Sequence, residues 1–426
     1  MRRFVVSLLF SLVVLIAPAQ IKFDEFFIDK TLRYDYILGG TDTSVVVYPV
    51  QMKQEKCWGG PTKNLVSPFG FGTYRYQIFD VATNQLIFSK GFNTLFQEWQ
   101  ATAEAKSKRR TYYQAAILPF PKKKIKLNID ARQRNGKFIT IYSDEVDPRN
   151  YFIKKEKSMV FADSVIVKNG NLHDKVDIVI LAEGYTDKEK DKFWKDSERM
   201  CNAFFDIEPY KSDKKSFNVT AVFTPSVDSG TDSPGDSIYK NTKFNSSFYT
   251  FDISRYLTTS DMKSIYDVAA DYAYDQLYVL TNTKKYGGGG FYNLLSLCAS
   301  DGKFAEEVFI HEFGHAFAGL ADEYYTSSVA VEDFYNLSVE PWEANLTTLK
   351  NFDKKWKNML SPSVPIPTPR EKKYKDTLGV YEGGGYTAKG VYSPQMDCRM
   401  KTNTTKDFCP VCRKTIKRMI DYYCNR

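Results

Sequence analysis

From Asp42 to Asp144, apolar and polar residues alternate in short runs. "DTSVVVYPV", "TYRYQIFDV", "QLIFSKGF" and "KFITIYSD" are β-branched and aromatic, with Gly, Asn and Asp at the turns between them. The Asn135-Gly136 pair between two such runs predicts a hairpin. With no sustained helical period, residues 20–155 read as an antiparallel β-sandwich. It clusters no catalytic groups. It is therefore expected to be a folding or spacing module, with a substrate-binding accessory domain as the alternative.

The pattern changes after residue 160. "KVDIVILAEGY" is almost continuously apolar, as in a strand buried on both faces. "TDKEKDKFWKDSERMCNAFFDIEPY" follows with Phe193, Met200, Ala203 and Phe204 at helical spacing. "FNVTAVFTP", "DMKSIYDVAADYAYD" and "QLYVLTN" continue as strand, helix and strand. This alternation predicts an α/β domain over 160–426 with a largely parallel sheet, so the whole chain is α+β with an α/β second half. Gly287 to Gly290 lack the GK[ST] ending of a phosphate loop. They read instead as a loop leading to an edge strand, "FYNLLSL", able to pair with an extended peptide.

"DGKFAEEVFIHEFGHAFAGL" predicts a helix ending at Gly319. His311 and His315 stand one turn apart on one face, where both imidazoles can reach one ion, and Glu312 sits beside them as a general base. Only three histidines occur in the chain, and His173 is the third. Two imidazoles with an oxygen ligand suit zinc, expected at one ion per chain. The oxygen ligand is expected from Asp322, which follows the glycine that ends the helix. Glu323 is the nearest rival, and Glu340 or Glu343 on a following helix is the more distant one. Whichever of Asp322 and Glu323 does not bind the metal is expected to orient a ligating histidine.

The N-terminus places this chemistry in a compartment. Arg2 and Arg3 precede an apolar run from Phe4 to Ala17 that ends in Ala17-Pro18-Ala19. At 14 residues the run is short against the roughly 20 that span a bilayer, so residues 1–19 read as a cleaved signal peptide. The expected product is exported (periplasmic, cell-surface or secreted) without stable membrane insertion. Losing Arg2 and Arg3 lowers the formal charge from +8 to +6. The basic runs are scattered among acidic residues, which argues against a nucleic-acid partner. Of seven cysteines, Cys398, Cys409, Cys412 and Cys424 crowd the C-terminus. In an exported protein this predicts structural disulfides. A redox pair is disfavoured because "CPVC" lies near the end of its domain, and a second zinc site because no histidine is near.

"HEFGHAFAGLADEY" resembles the metzincin pattern H-E-x-x-H-x-x-G-x-x-H, with departures. Gly319 falls four residues past His315 rather than three, and Asp322 falls seven past it in place of the third histidine. "SPQMDCRMKTN" resembles the methionine turn, with Met400 expected beneath the metal. Together with "EGGGYTAKGVYSPQMDCRM", "FCPVC", "AEGYTDKE", "EPYKSDKKSFNV" and "SVDSGTDSP", these segments resemble the M64 peptidases, named for an immunoglobulin A peptidase. The likeness runs from Val176 to Ile420, and the preceding sandwich resembles that family's N-terminal domain. It implies a metzincin-like zinc endopeptidase acting on protein or peptide substrates, with host glycoproteins a candidate class. By analogy to metzincins, the edge strand after the glycine run would hold an extended substrate beside the zinc. Tyr386 is the candidate for polarising the scissile carbonyl, with Tyr324 as runner-up. Site chemistry alone also admits a hydrolase of non-peptide amides or esters, or a non-catalytic binding protein retaining the fold.

Overall fold

The computed structural model describes residues 20–155, 159–325 and 334–425. The expected signal peptide lies outside them. After a short α1 (Phe23–Phe26), the N-terminal strands are β1 (Phe27–Gly40), β2 (Val45–Glu55), β3 (Tyr74–Asp80) and β4 (Leu86–Phe92). Helix α2 (Leu95–Gln100) follows, then β5 (Arg110–Pro121), β6 (Ile125–Arg132), β7 (Phe138–Val146) and β8 (Ile153–Lys154). They form two four-stranded sheets, β5-β1-β2-β8 and β4-β3-β6-β7, as a sandwich requires. Alternation drives this: along β3 every second residue is buried. Across the core, the Tyr36 and Tyr76 hydroxyls share a hydrogen bond of 2.7 Å. Gly136, at φ +82°, turns the β6–β7 hairpin. One pairing departs from the antiparallel expectation, because the short β8 runs parallel to β2.

The second half contributes β9 (Ala162–Val167), β10 (Val176–Glu183), α3 (Lys190–Phe204), β11 (Phe217–Phe223), α4 (Met262–Ala269) and β12 (Gln276–Thr281). It continues with β13 (Gly288–Phe291), β14 (Leu295–Ala299), α5 (Ala305–Ala318), the β15 (Tyr381–Gly384) and β16 (Thr387–Ser393) hairpin, and α6 (Pro410–Tyr423). One six-stranded sheet has the order β13-β14-β12-β10-β11-β9. Strands β11, β10, β12 and β14 are parallel, and the two edge strands run antiparallel to them. Every residue of β10 is buried, as its unbroken apolar run predicts. The glycines themselves form edge strand β13, while the "LLSL" segment enters the interior β14. Nor is the edge free. Tyr256 makes an isolated parallel bridge to Gly288, so the segment around it covers part of the edge strand that the glycines form.

The halves share a core, since one continuous apolar cluster includes Tyr36 and Ile78 of the sandwich with Val179 and Leu277 of the large sheet. A buried charge cluster also joins them. Arg33 on β1, fully buried, donates to Asp35 (2.6 Å) and to Asp267 on α4 (2.8 Å). Burial lifts Glu55 to about 7 against the pull of Arg33. Among the described residues no helix is long and apolar enough to cross a membrane. Asp267→Ala should leave Arg33 Nη1 without its hydrogen-bond acceptor and lower stability by about 1–3 kcal/mol, read as a lower urea midpoint. An unchanged midpoint would show that Asp35 and Glu55 hold Arg33 without Asp267.

Candidate active site

Helix α5 buries Val308, Phe309, Phe313 and Phe317, with Phe309 stacked on Tyr278 of β12 at 4.0 Å between ring centroids. That packing turns His311, Glu312 and His315 toward a cleft of about 500 Å³. Strand β13 lies hard against the same helix. A Cβ at Gly290 would stand 2.4 Å from the Glu312 carbonyl oxygen and 2.9 Å from His315 Cβ, and one at Gly288 would meet the Glu312 carboxylate at 2.8 Å. Gly288 and Gly290 permit this close approach, while Gly287 and Gly289 face the Arg255 and Leu257 backbone on the other side, a purpose the sequence alone did not disclose.

Backbone carbonyls fix both imidazoles. His311 Nδ1 donates to the Arg399 carbonyl (2.9 Å) and His315 Nδ1 to the Leu320 carbonyl (2.6 Å). In the neutral rings, these bonds leave the Nε2 lone pairs free and facing each other across 3.0 Å. Gly319, at φ +59°, ends α5 and turns the chain back. Asp322 Oδ1 then arrives 3.0 Å from His311 Nε2 and 3.3 Å from His315 Nε2. Among the described residues no other donor reaches this buried oxygen.

Three acceptors thus face one point. Their separations match the edge of about 3.3 Å expected of a tetrahedron with ligand bonds of roughly 2.0–2.1 Å. Three acceptors this close repel one another unless a cation or a proton lies between them. Burial disfavours charge on His315, yet Asp322 raises it to about 9. Burial would also raise Asp322, but the two histidines hold it well below the usual carboxylate range. The residues therefore fit a divalent cation. Glu312 has a carboxylate oxygen within 4.8 Å of both histidine nitrogens, and burial raises it despite the two imidazoles.

The rivals for third ligand do not stand against the histidine nitrogens as Asp322 does, although Glu343 lines the same cleft. Glu323 points away from the histidines and into a cluster of Cys398, Cys409 and Cys412. It therefore orients neither imidazole, and the backbone carbonyls do so instead. No helix carries Glu340 or Glu343 among the described residues. Glu340 Oε2 accepts from Thr348 and from the Asn351 amide, and Glu343 Oε1 from the Tyr335 hydroxyl at 3.2 Å. The expected disulfides are absent, since all seven cysteines are free thiols.

Tyr386, at the β15–β16 turn, donates to Asp322 Oδ2 at 2.5 Å, and the Tyr324 ring lies 5.4 Å away. Met400 is fully buried beneath α5, where a Cβ at Gly314 would meet its sulfur at 2.8 Å. The glycine of HEFGH is thus the seat of the methionine. The Met400 carbonyl accepts from the Glu323 amide at 2.8 Å, tying the turn to the Asp322 segment.

Sequence reasoning missed two walls of the cleft. Arg255 and Tyr256 arrive on the segment beside β13. Asn93 and Glu98 come from the sandwich. Glu98 accepts from the Tyr256 hydroxyl, and burial lifts it to about 7 against that bond. No local motif marks Glu98, because only the packing of the two halves brings it here.

A family model described as Peptidase M64 N-terminus matches residues 22–143, and one described as IgA Peptidase M64 matches 165–377 and 370–420. A search of curated proteins finds no match. Fold and matches together make the protein a peptidase. The chain belongs to the M64 peptidase family.

Gly290→Ala should push β13 off α5. A stability loss of about 1–3 kcal/mol by urea unfolding is expected, together with loss of hydrolysis. Wild-type behaviour in both assays would show that the close approach is not required.

Proposed function

We propose that the protein is an exported zinc-dependent endopeptidase. The observation that carries this reading is the convergence of His311 Nε2, His315 Nε2 and Asp322 Oδ1 beside the buried Glu312. The apolar leader supports export. Zinc held by these three groups would supply Lewis acidity toward a peptide carbonyl and toward water.

The chain's own residues do the rest. The Glu312 carboxylate takes the proton from the attacking water and passes it to the leaving nitrogen as the C–N bond breaks. Its burial beside the cluster suits it to hold that proton briefly. Tyr386, resting on Asp322, is placed to turn its hydroxyl toward a carbonyl oxygen gaining charge. The segment at Tyr256 lies along β13, so an extended substrate would be held by the cleft walls, including Arg255 and Glu98, more than by the strand edge. The sandwich is then a wall of the substrate cleft rather than a spacer.

The purified protein should degrade denatured casein, stop when a chelator is added, and recover with zinc. Casein cleavage insensitive to chelators would contradict the metal reading. Glu312→Gln should keep its zinc while kcat falls by roughly 10²–10⁴-fold. Glu312 works as a base only when ionised, so kcat/KM should fall as falling pH protonates it, and burial moves that limb upward. An acid limb that stays unchanged in Glu312→Asp would remove Glu312 from the role.

Asp322→Ala should abolish tight zinc binding at the histidine pair, while Glu343→Ala should retain it. The reverse pattern of zinc contents would make Glu343 the third ligand.

A further inference from the structure

Behind the candidate active site lies a second cluster that the hydrolytic chemistry does not use. Glu323, Cys398, Cys409 and Cys412 are all buried, with exposures of 0–1%. One ligand atom from each lies within 4.8 Å of the others. Glu323 Oε1 stands 3.3 Å from Cys412 Sγ and 3.9 Å from Cys409 Sγ, and Cys398 Sγ is 3.9 Å from Cys412 Sγ. Thiolate ligands at roughly 2.3 Å from a tetrahedral zinc are separated by about 3.8 Å. Glu323 Oε2, buried, has no hydrogen-bond partner among the described residues.

A disulfide accounts for less of this. Three thiols can make only one bridge, which would leave an odd thiol and a buried carboxylate with one orphaned oxygen. A cation bound by all four groups engages every member. The surroundings also suit anionic sulfur. The Cys409 amide donates to Cys398 Sγ (3.2 Å) and the Cys412 amide to Cys409 Sγ (3.4 Å) at the N-terminus of the 14-residue helix α6. Asn345 Nδ2 donates to Glu323 Oε1 at 3.0 Å. Soft sulfur donors select zinc over calcium or magnesium, and four protein ligands leave no open position for chemistry.

We propose that Glu323, Cys398, Cys409 and Cys412 form a closed structural zinc site, distinct from the site at the histidine pair. Loading releases the thiol protons to solvent and leaves three thiolates and a carboxylate around the ion. Glu323 follows Asp322 directly, so the two neighbouring carboxylates serve different ions. Cys398 lies two residues before Met400 and next to Arg399, whose carbonyl holds His311. The second ion would therefore clamp the Asp322 segment, the methionine turn and α6 together, and its role is positional.

The test uses the full chain purified without chelator. Elemental analysis should find two zinc ions per chain. The cobalt(II)-exchanged protein should show thiolate-to-cobalt charge-transfer absorption in the near ultraviolet, which a histidine–carboxylate site cannot produce. His311→Ala/His315→Ala should keep one ion and the whole of that band. This result separates the second site from the peptidase reading, whose failure would leave the band intact. Cys409→Ser/Cys412→Ser should lose the band and one ion. One ion per chain without the band would overturn the proposal. So would a band-free protein in which a thiol titration in denaturant finds two thiols fewer than the seven present, which marks a disulfide.

Discussion

Three electron-rich atoms are pressed into one corner of this molecule, and the catalytic half is built to keep them there. Two imidazole lone pairs and a carboxylate oxygen stand 3.0–3.3 Å apart. Unaided, that arrangement is repulsive, and it persists because the scaffold over-determines it. Backbone carbonyls of Leu320 and Arg399 orient the rings, Gly319 turns Asp322 back over the helix, and Met400 fills the seat left by Gly314. Each contact leaves a side chain little freedom to relax, so a cation or a proton must relieve the strain between charges. Such prearrangement is what a polar catalytic site requires, since its groups need not reorganise during reaction.

The sandwich belongs to the same arrangement. Its core is continuous with one face of the large sheet, and the buried Arg33 ties β1 to α4. With this docking fixed, Asn93 and Glu98 reach the cleft, and Glu98 meets Tyr256 from the opposite wall. Two sequence-distant segments thus line one cleft. The N-terminal half contributes a buried acid to the lining of the cleft.

Most of the architecture was legible because its causes are local. Period-two alternation marks β3, an unbroken apolar run marks β10, and helical spacing before Gly319 marks α5. His311, Glu312 and His315 were legible for the same reason, as helix geometry alone puts them together. Asp322 required only one further step, the turn after Gly319. What stayed hidden depends on packing between distant segments. Nothing near Glu323 predicts that it faces three thiols from 75 to 89 residues downstream, and the disulfide expectation failed there. The glycine run misled differently. It looked like a loop because glycine disfavours strands, but the close passage of α5 admits no side chain at Gly288 or Gly290.

The central claim is that His311, His315 and Asp322 hold one ion. The measurement that bears on it most directly is an anomalous difference map, collected on crystals of the protein on either side of the zinc absorption edge. The account predicts a peak within bonding distance, roughly 2.0–2.2 Å, of both Nε2 atoms and an Asp322 carboxylate oxygen. A map with no peak between the histidines, or with a peak bound by a different third side chain, would contradict it.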